Sequence, residues 1–192
     1  MKWNIEEIKK DVKENLSDKR YQHSLNVMEE AEALAKKYKV NKANVDKCIL
    51  CGLTHDMAKE LSKETNEKII KKYNLKETLL DEKNKNLIHG FIASIIVREK
   101  YKFDEDMILA IRYHTTGYPN MDLIGKIIYL ADKIEKSRDS EMAKEARVLA
   151  YKDIDKAIIY VITRGIDKLK KEQKEIADLS YDTLEYLKET NK

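Results

Sequence analysis

Proline occurs once, at Pro119, and glycine five times in a chain of 192 residues. That is too little turn chemistry for the frequent reversals of a β-sandwich, whereas 42% hydrophobic and 38% charged residues suit long amphipathic helices. An all-α fold is therefore expected, and the length fits one domain, 1–192, able to bury a core without staples. No stretch approaches the ~20 apolar residues that span a bilayer. Met1 to Lys10 is charged and carries no apolar signal core, so a cytoplasmic protein with no membrane partner is expected. An excess of one charge is missing too. The 38 basic and 35 acidic residues leave +3, which gives no sign of a nucleic-acid partner; an anionic ligand must be attracted locally. Cysteine is scarce. Cys48 and Cys51 form a C-x-x-C with no second pair to complete a zinc site, and Val45, Ile49, Leu50 and Leu53 around them read as a buried helix face.

What the chain does have is helix punctuation. Asn4 followed by Glu7 opens a helix to about Leu16, with Ile5, Ile8 and Val12 on one side. Ser17 caps a second helix to about Tyr38, along which His23, Val27 and Leu34 form one line beside Tyr21, Leu25 and Met28. Asn41 caps a third helix ending near Glu60, and Ser62 or Thr65 starts a fourth through about Tyr73. Asn74 to Asn86 is polar and loop-like. Leu87 to Val97 is strongly apolar, with Gly90 and Ala93 leaving room for a helix or a ligand. Asp104 caps the next helix, which stops at the turn signature Tyr113 to Pro119, and Asp122 to Ile134 is another buried helix. Glu141 to Lys192 holds two or three amphipathic helices, with Ile154, Ile158, Val161, Ile162 and Ile166 on one face and Lys168 to Lys174 as a solvated run.

The four histidines, His23, His55, His89 and His114, each fall at a helix end or in the first turns of an apolar helix, which packing alone explains poorly. His55-Asp56 offers an imidazole and a carboxylate side by side. Asp132, among Ile124, Ile127, Ile128 and Leu130, must be paired or metal-bound. In one bundle, His23, His55, Asp56 and Asp132 can converge as a set suited to a divalent transition metal, with positions left for water and substrate. His89 and His114 then bind a second metal or stand against a substrate phosphate, and spacing does not choose. Arg20 either grips a phosphate or is a solvated first-turn charge; Lys59, one turn after His55, reaches the same mouth or caps the helix end.

The segments Arg20-Tyr-Gln-His-Ser24, Leu53-Thr-His-Asp-Met-Ala-Lys-Glu60, Ile88-His-Gly90, Tyr113-His-Thr-Thr-Gly117 and Tyr129-Leu-Ala-Asp-Lys-Ile-Glu135 occur in that order. Together they resemble the HD superfamily of metal-dependent phosphohydrolases and, more closely, the bacterial YqeK-like family. The resemblance implies an HD-type helical bundle, with a motif-bearing core over about 17–157 and C-terminal helices over 158–192. It implies symmetrical hydrolysis of diadenosine tetraphosphate, a nucleotide substrate, to two ADP. By the same resemblance His23, His55, Asp56 and Asp132 are metal ligands, with iron the implied metal and manganese, zinc or cobalt the alternatives. Arg20, Lys59, His89, His114 and Arg138 take the phosphates, with Asp56, Lys59, His89 and His114 sharing the catalysis, and Thr183 closes over the nucleoside. A homodimer is compatible with all of this. Lys136-Ser137 stands where family members usually carry Pro-Asn, and Ser180 to Tyr186 lacks the family's Pro and Asn. Two rival functions fit the same residues: a nucleotidase or cyclic-nucleotide phosphodiesterase, and a nucleotide-binding module whose catalysis has lapsed.

Overall fold

The computed structural model describes residues 3–75 and 87–191. Among them the chain forms ten α-helices: α1 (Ile5–Asn15), α2 (Asp18–Lys37), α3 (Lys42–Thr54), α4 (Lys63–Lys72), α5 (Ile88–Tyr101), α6 (Glu105–Arg112), α7 (Leu123–Ile134), α8 (Glu141–Ala150), α9 (Ile154–Lys171) and α10 (Asp178–Thr190). The helix starts follow side-chain caps. Asn4, Ser17, Asn41, Ser62 and Asp122 each accept from backbone N–H groups of the first turn that have no partner within the helix, so Ser62 rather than Thr65 opens α4. The C-terminal part holds three helices. Ile154, Ile158, Val161, Ile162 and Ile166 are buried, whereas Lys168, Lys170, Lys171 and Lys174 are exposed. Of the polar Asn74 to Asn86 segment, 76–86 lies outside the described residues.

One expected boundary moves. The third helix stops at Thr54 instead of running to Glu60, and His55 sits at its C-cap. The His55 ring donates from Nδ1 to the Gly52 carbonyl at 2.8 Å, the acceptor that a further helical residue would have used. From there the backbone advances by tight turns, with Met57 N–H on the Thr54 carbonyl at 3.1 Å and Lys59 N–H on the Asp56 carbonyl at 2.8 Å. This brings Asp56 and Lys59 round to the same end of the bundle as His55.

Helix α7 is the structural axis, packing against α2, α3, α6, α8 and α9, while α2 lies along α3, α5 along α6 and α10 along α9. Its Ile127, Ile128, Leu130 and Ile134 are inaccessible to solvent, as are Leu34 and Val27 of α2 and Leu50 and Leu53 of α3. Cys48 and Cys51 are free and buried in this core, where burial pushes the Cys48 thiol up to about 12, so both behave as small apolar residues. No helix among the described residues is long and apolar enough to cross a membrane.

Two glycines let backbones meet. A Cβ on Gly90 would lie 2.7 Å from the Arg112 carbonyl oxygen, so the space beside α5 admits α6 and not a ligand. A Cβ on Gly52 would lie 2.9 Å from Met28 Cα and 3.0 Å from the Val27 carbonyl oxygen of α2. Overpacking against backbone costs about 1–3 kcal/mol. The better helix propensity of alanine returns only ~1 kcal/mol of it. Gly52→Ala should therefore lower stability by up to about 2 kcal/mol. The urea midpoint measures it, and a midpoint above that of the wild type would contradict the close α2–α3 contact.

Candidate metal centre

Five helix ends deliver the histidines and aspartates to one place. His23 comes from the second turn of α2, His55 and Asp56 from the end of α3, His89 from the first turn of α5, His114 from just past α6, and Asp132 from the last turn of α7. All six are buried. His23 Nε2 lies 3.1 Å from Asp132 Oδ1 and 3.8 Å from Asp56 Oδ2. His55 Nε2 lies 3.7 Å from Asp56 Oδ2 and 3.8 Å from Asp132 Oδ1.

The partners of each ring settle which nitrogens carry hydrogen. A carbonyl oxygen only accepts, so the 2.8 Å contact of His55 Nδ1 with Gly52 O puts the hydrogen on Nδ1. The same device fixes His114, whose Nδ1 donates to the Ile111 carbonyl at 2.7 Å. The lone pairs of both Nε2 atoms therefore face inward. His89 is arranged the other way. The ionised Asp56 Oδ1, 3.0 Å from its Nε2, only accepts and so puts the hydrogen there, with His114 Nε2 also 3.0 Å away, while the Lys59 ammonium stands 3.1 Å from Nδ1 and 3.4 Å from Nε2. Asp56 thus faces His23 and His55 with Oδ2, and His89 and His114 with Oδ1.

These donors fit a metal ion. His23 Nε2 and His55 Nε2 are buried and have no hydrogen-bond partner among the described residues, although carboxylate oxygens stand within 4 Å of both. Lone pairs facing carboxylates with nothing between them repel, and a cation relieves that repulsion. Metal bonds of about 2.1 Å place neighbouring ligand atoms ~3.0–3.4 Å apart, close to the observed spacings. Two overlapping sets can hold an ion, His23, His55 and Asp132 on one side and His55, Asp56 and His114 on the other. Two imidazoles with two carboxylates suit a divalent transition metal.

Cations ring the cluster. Arg20 Nη1 reaches Asp56 Oδ2 at 2.9 Å, Arg138 Nη2 reaches Asp132 Oδ1 at 2.9 Å, and Lys133 Nζ reaches Asp132 Oδ2 at 2.6 Å. Arg20, His23, Asn26, Glu135 and Arg138 share a cavity of about 590 Å³ that opens beside the cluster. Of the residues expected from sequence, His23, His55, Asp56, Lys59, His89, His114, Asp132, Arg20 and Arg138 come together. Thr183 does not join them: it is fully buried, donates its hydroxyl to the Leu179 carbonyl at 2.6 Å and packs against Gly117. Lys133 was not anticipated, nor was Glu135, which accepts from His23 Nδ1 at 3.2 Å. Their signal was their place in the Asp132-Lys-Ile-Glu135 segment, beside Asp132 and one turn after it.

Burial drives the His55 imidazole down to about 3 and His89 down to about 4, leaving both neutral and able to ligate or donate at pH 7. Burial by itself would raise the Asp56 carboxyl, but the groups around it, the His89 Nε2–H among them, outweigh it and hold Asp56 below the ordinary carboxylate range. Asp132 is held well below that range as well, burial being outweighed above all by Lys133. The Lys59 ammonium is lowered by burial, against the pull of Asp56.

The HD-domain family profile matches residues 20–137. A protein of Bacillus subtilis (strain 168) named bis(5′-nucleosyl)-tetraphosphatase, symmetrical, is 36% identical over 185 residues, which covers 96% of this chain and 97% of that one. A protein of the same name from Halalkalibacterium halodurans is 38% identical, covering 86% of this chain and 87% of its own. A crystal structure from Clostridium acetobutylicum, described as a predicted HD superfamily hydrolase involved in NAD metabolism, matches with a TM-score of 0.88 at 32% identity over 98% of each chain.

The metal-free protein should lose stability in acid. The ordinary histidine value near 6.5 lies above the folded values of about 3 for His55 and about 4 for His89, so the unfolded chain takes up protons first as pH falls. The stability these two neutral rings contribute is complete above about pH 6.5 and declines below it, by roughly 2 kcal/mol each between pH 7 and 5. Urea midpoints of chelator-treated protein at the two pH values measure the loss; equal midpoints would contradict the buried neutral rings.

Proposed function

The chain belongs to the HD-domain family, among the symmetrical bis(5′-nucleosyl)-tetraphosphatases, and from that membership we propose that it hydrolyses diadenosine tetraphosphate to two ADP. The observation that carries this reading is the pair of unpartnered imidazole nitrogens, His23 Nε2 and His55 Nε2, facing two carboxylates inside a ring of cations. We take residues 1–192 as one catalytic unit working in the cytoplasm on a nucleotide.

His23, His55, Asp56 and Asp132 would hold the ion, with iron the metal implied by family and manganese, zinc or cobalt able to use the same donors. A bound ion supplies Lewis acidity at a phosphoryl oxygen and makes water acidic enough to serve as a nucleophile near neutral pH. The rest falls to the chain's own side chains. Arg20 and Arg138 stand where they can leave their carboxylates for the non-bridging oxygens of a polyphosphate, and Lys59 adds a third cation beside His89. His89 presents Nε2–H and can donate to a phosphate oxygen, while Asp56, with an oxygen toward each half of the site, orients the attacking water. ADP leaves readily near neutral pH, so no strong acid is required. Cleavage in the middle of the chain follows if a nucleoside is seated one ADP length from the attacked phosphorus.

Incubating the metal-loaded protein with diadenosine tetraphosphate and separating the products tests the reading. ADP alone is expected, and ATP plus AMP would contradict it. Release of phosphate or a monophosphate would favour the nucleotidase or phosphodiesterase alternative, and nucleotide binding without turnover the lapsed module. His55→Ala and Asp56→Asn should each stay folded, lose metal and reduce turnover at least about a hundredfold. Wild-type activity in either would refute the ligand assignment.

A further inference from the structure

Glu135 is a carboxylate with no exposed surface at the C-cap of α7. Arg138 Nε stands 3.6 Å from its Oε1, and four hydrogen bonds hold it. Oε1 accepts from His23 Nδ1 at 3.2 Å and from the Ser137 hydroxyl, and Oε2 accepts from Asn26 Nδ2 at 3.1 Å and from the Ser137 N–H at 2.7 Å. His23 and Asn26 are one turn apart on α2, so a single carboxylate grips that helix at the residue that faces Asp132. Asn26 is itself held, its Oδ1 accepting from Gln22 Nε2 at 3.0 Å. The turn that carries Glu135 is fixed from behind by Arg147 of α8, which donates to the carbonyls of Ile134 at 2.8 Å and of Glu135 and Arg138 at 3.0 Å each.

Two carboxylates flank the His23 ring, one at each nitrogen. Glu135 waits 3.2 Å from Nδ1, and Asp132 waits 3.1 Å from Nε2. If the hydrogen sat on Nε2, His23 would donate to Asp132 and the contact would occupy a lone pair and a carboxylate oxygen that an ion needs. Hydrogen-bond geometry favours the other outcome, since Nδ1 is bonded to Glu135 while Nε2 has no partner among the described residues.

We propose that Glu135 is a positioning residue: it holds the His23 hydrogen on Nδ1, aims the Nε2 lone pair into the cluster and so keeps the site open to metal. The consequence for metal rests on the reading of His23 as a ligand; the consequence for the tautomer does not. Metal ligands held in this way typically lose 10–100-fold in metal affinity when the partner is removed.

The experiment uses chelator-treated, full-length protein with nitrogen-15 in its histidines. Two-bond nitrogen–proton spectra report which ring nitrogen carries hydrogen, and the His23 signals are assigned by their loss in His23→Gln. In the wild type, hydrogen on Nδ1 of His23 alone is expected, and hydrogen on Nε2, with or without one on Nδ1, overturns the proposal before any variant is made. In Glu135→Leu the hydrogen should move to Nε2 and Mn²⁺ affinity, read from the resonance of the free ion, should fall 10–100-fold. A folded Leu variant with the wild-type tautomer overturns the proposal. If that variant does not fold, Glu135→Gln keeps the side-chain shape and weakens only the acceptor. It should show a mixed tautomer and about tenfold weaker Mn²⁺ binding; wild-type values for both overturn the proposal. A shifted tautomer with unchanged Mn²⁺ binding upholds the hold of Glu135 on His23 and removes His23 from the ligand set instead.

Discussion

Two ionised carboxylates buried among helix ends, Asp56 and Asp132, set the terms for the rest of this molecule. Taking a carboxylate out of water costs several kcal/mol even after relaxation, so each must be met by charge or hydrogen bonds. Arg20 meets Asp56, and Arg138 with Lys133 meets Asp132. What those cations leave unanswered is the inner side, where the carboxylate oxygens look at imidazole lone pairs. The helices stop where they do in order to leave that space. α3 and α6 each end against an imidazole three residues beyond a terminal carbonyl, His55 on Gly52 and His114 on Ile111. Helix termination and tautomer selection are here one interaction, since the carbonyl left over at a helix end is what claims the Nδ1 hydrogen.

The four imidazoles are consequently not equivalent. His23, His55 and His114 show a lone pair to the interior, whereas His89, facing Asp56 Oδ1, shows a hydrogen. Three rings can thus ligate and one can donate. His89 and His114, which no spacing argument separates, are separated by what takes their hydrogen: a carboxylate at Nε2 for one and a backbone carbonyl at Nδ1 for the other.

Local signals in the sequence were legible because their physics is local. The caps at Asn4, Ser17, Asn41, Ser62 and Asp122 need only a side-chain oxygen and the next turn, and they fix where the helices begin. A charged or imidazole side chain within an apolar helix announces itself in the same way, which is how His23, His55, His89 and Asp132 stand out. The end of α3 was not legible, since a ring bonding back to Gly52 leaves no trace in the apolar pattern. Glu135 and Arg147 were hidden for a different reason. Each lies in ordinary charged sequence and acquires its role from partners more than a hundred residues away, as with His23 and Asn26, or on another helix. Thr183 differs from these, its polar group being spent on its own helix.

Charge explains why this site is matched to a polyphosphate although the chain as a whole carries only +3. Around the cluster three carboxylates, Asp56, Asp132 and Glu135, face the four cationic side chains Arg20, Lys59, Lys133 and Arg138. Asp56 and Asp132, which Arg20 and Arg138 hold here, would turn the same oxygens to a bound divalent ion, and the two guanidinium forks would then be free to pair with phosphate. Beyond a Debye length of about 8 Å the mixed surface charges are screened, so attraction is concentrated at the mouth of the site. The guanidinium groups that neutralise the carboxylates in the metal-free protein are therefore the groups best placed to neutralise the substrate once an ion has taken their place.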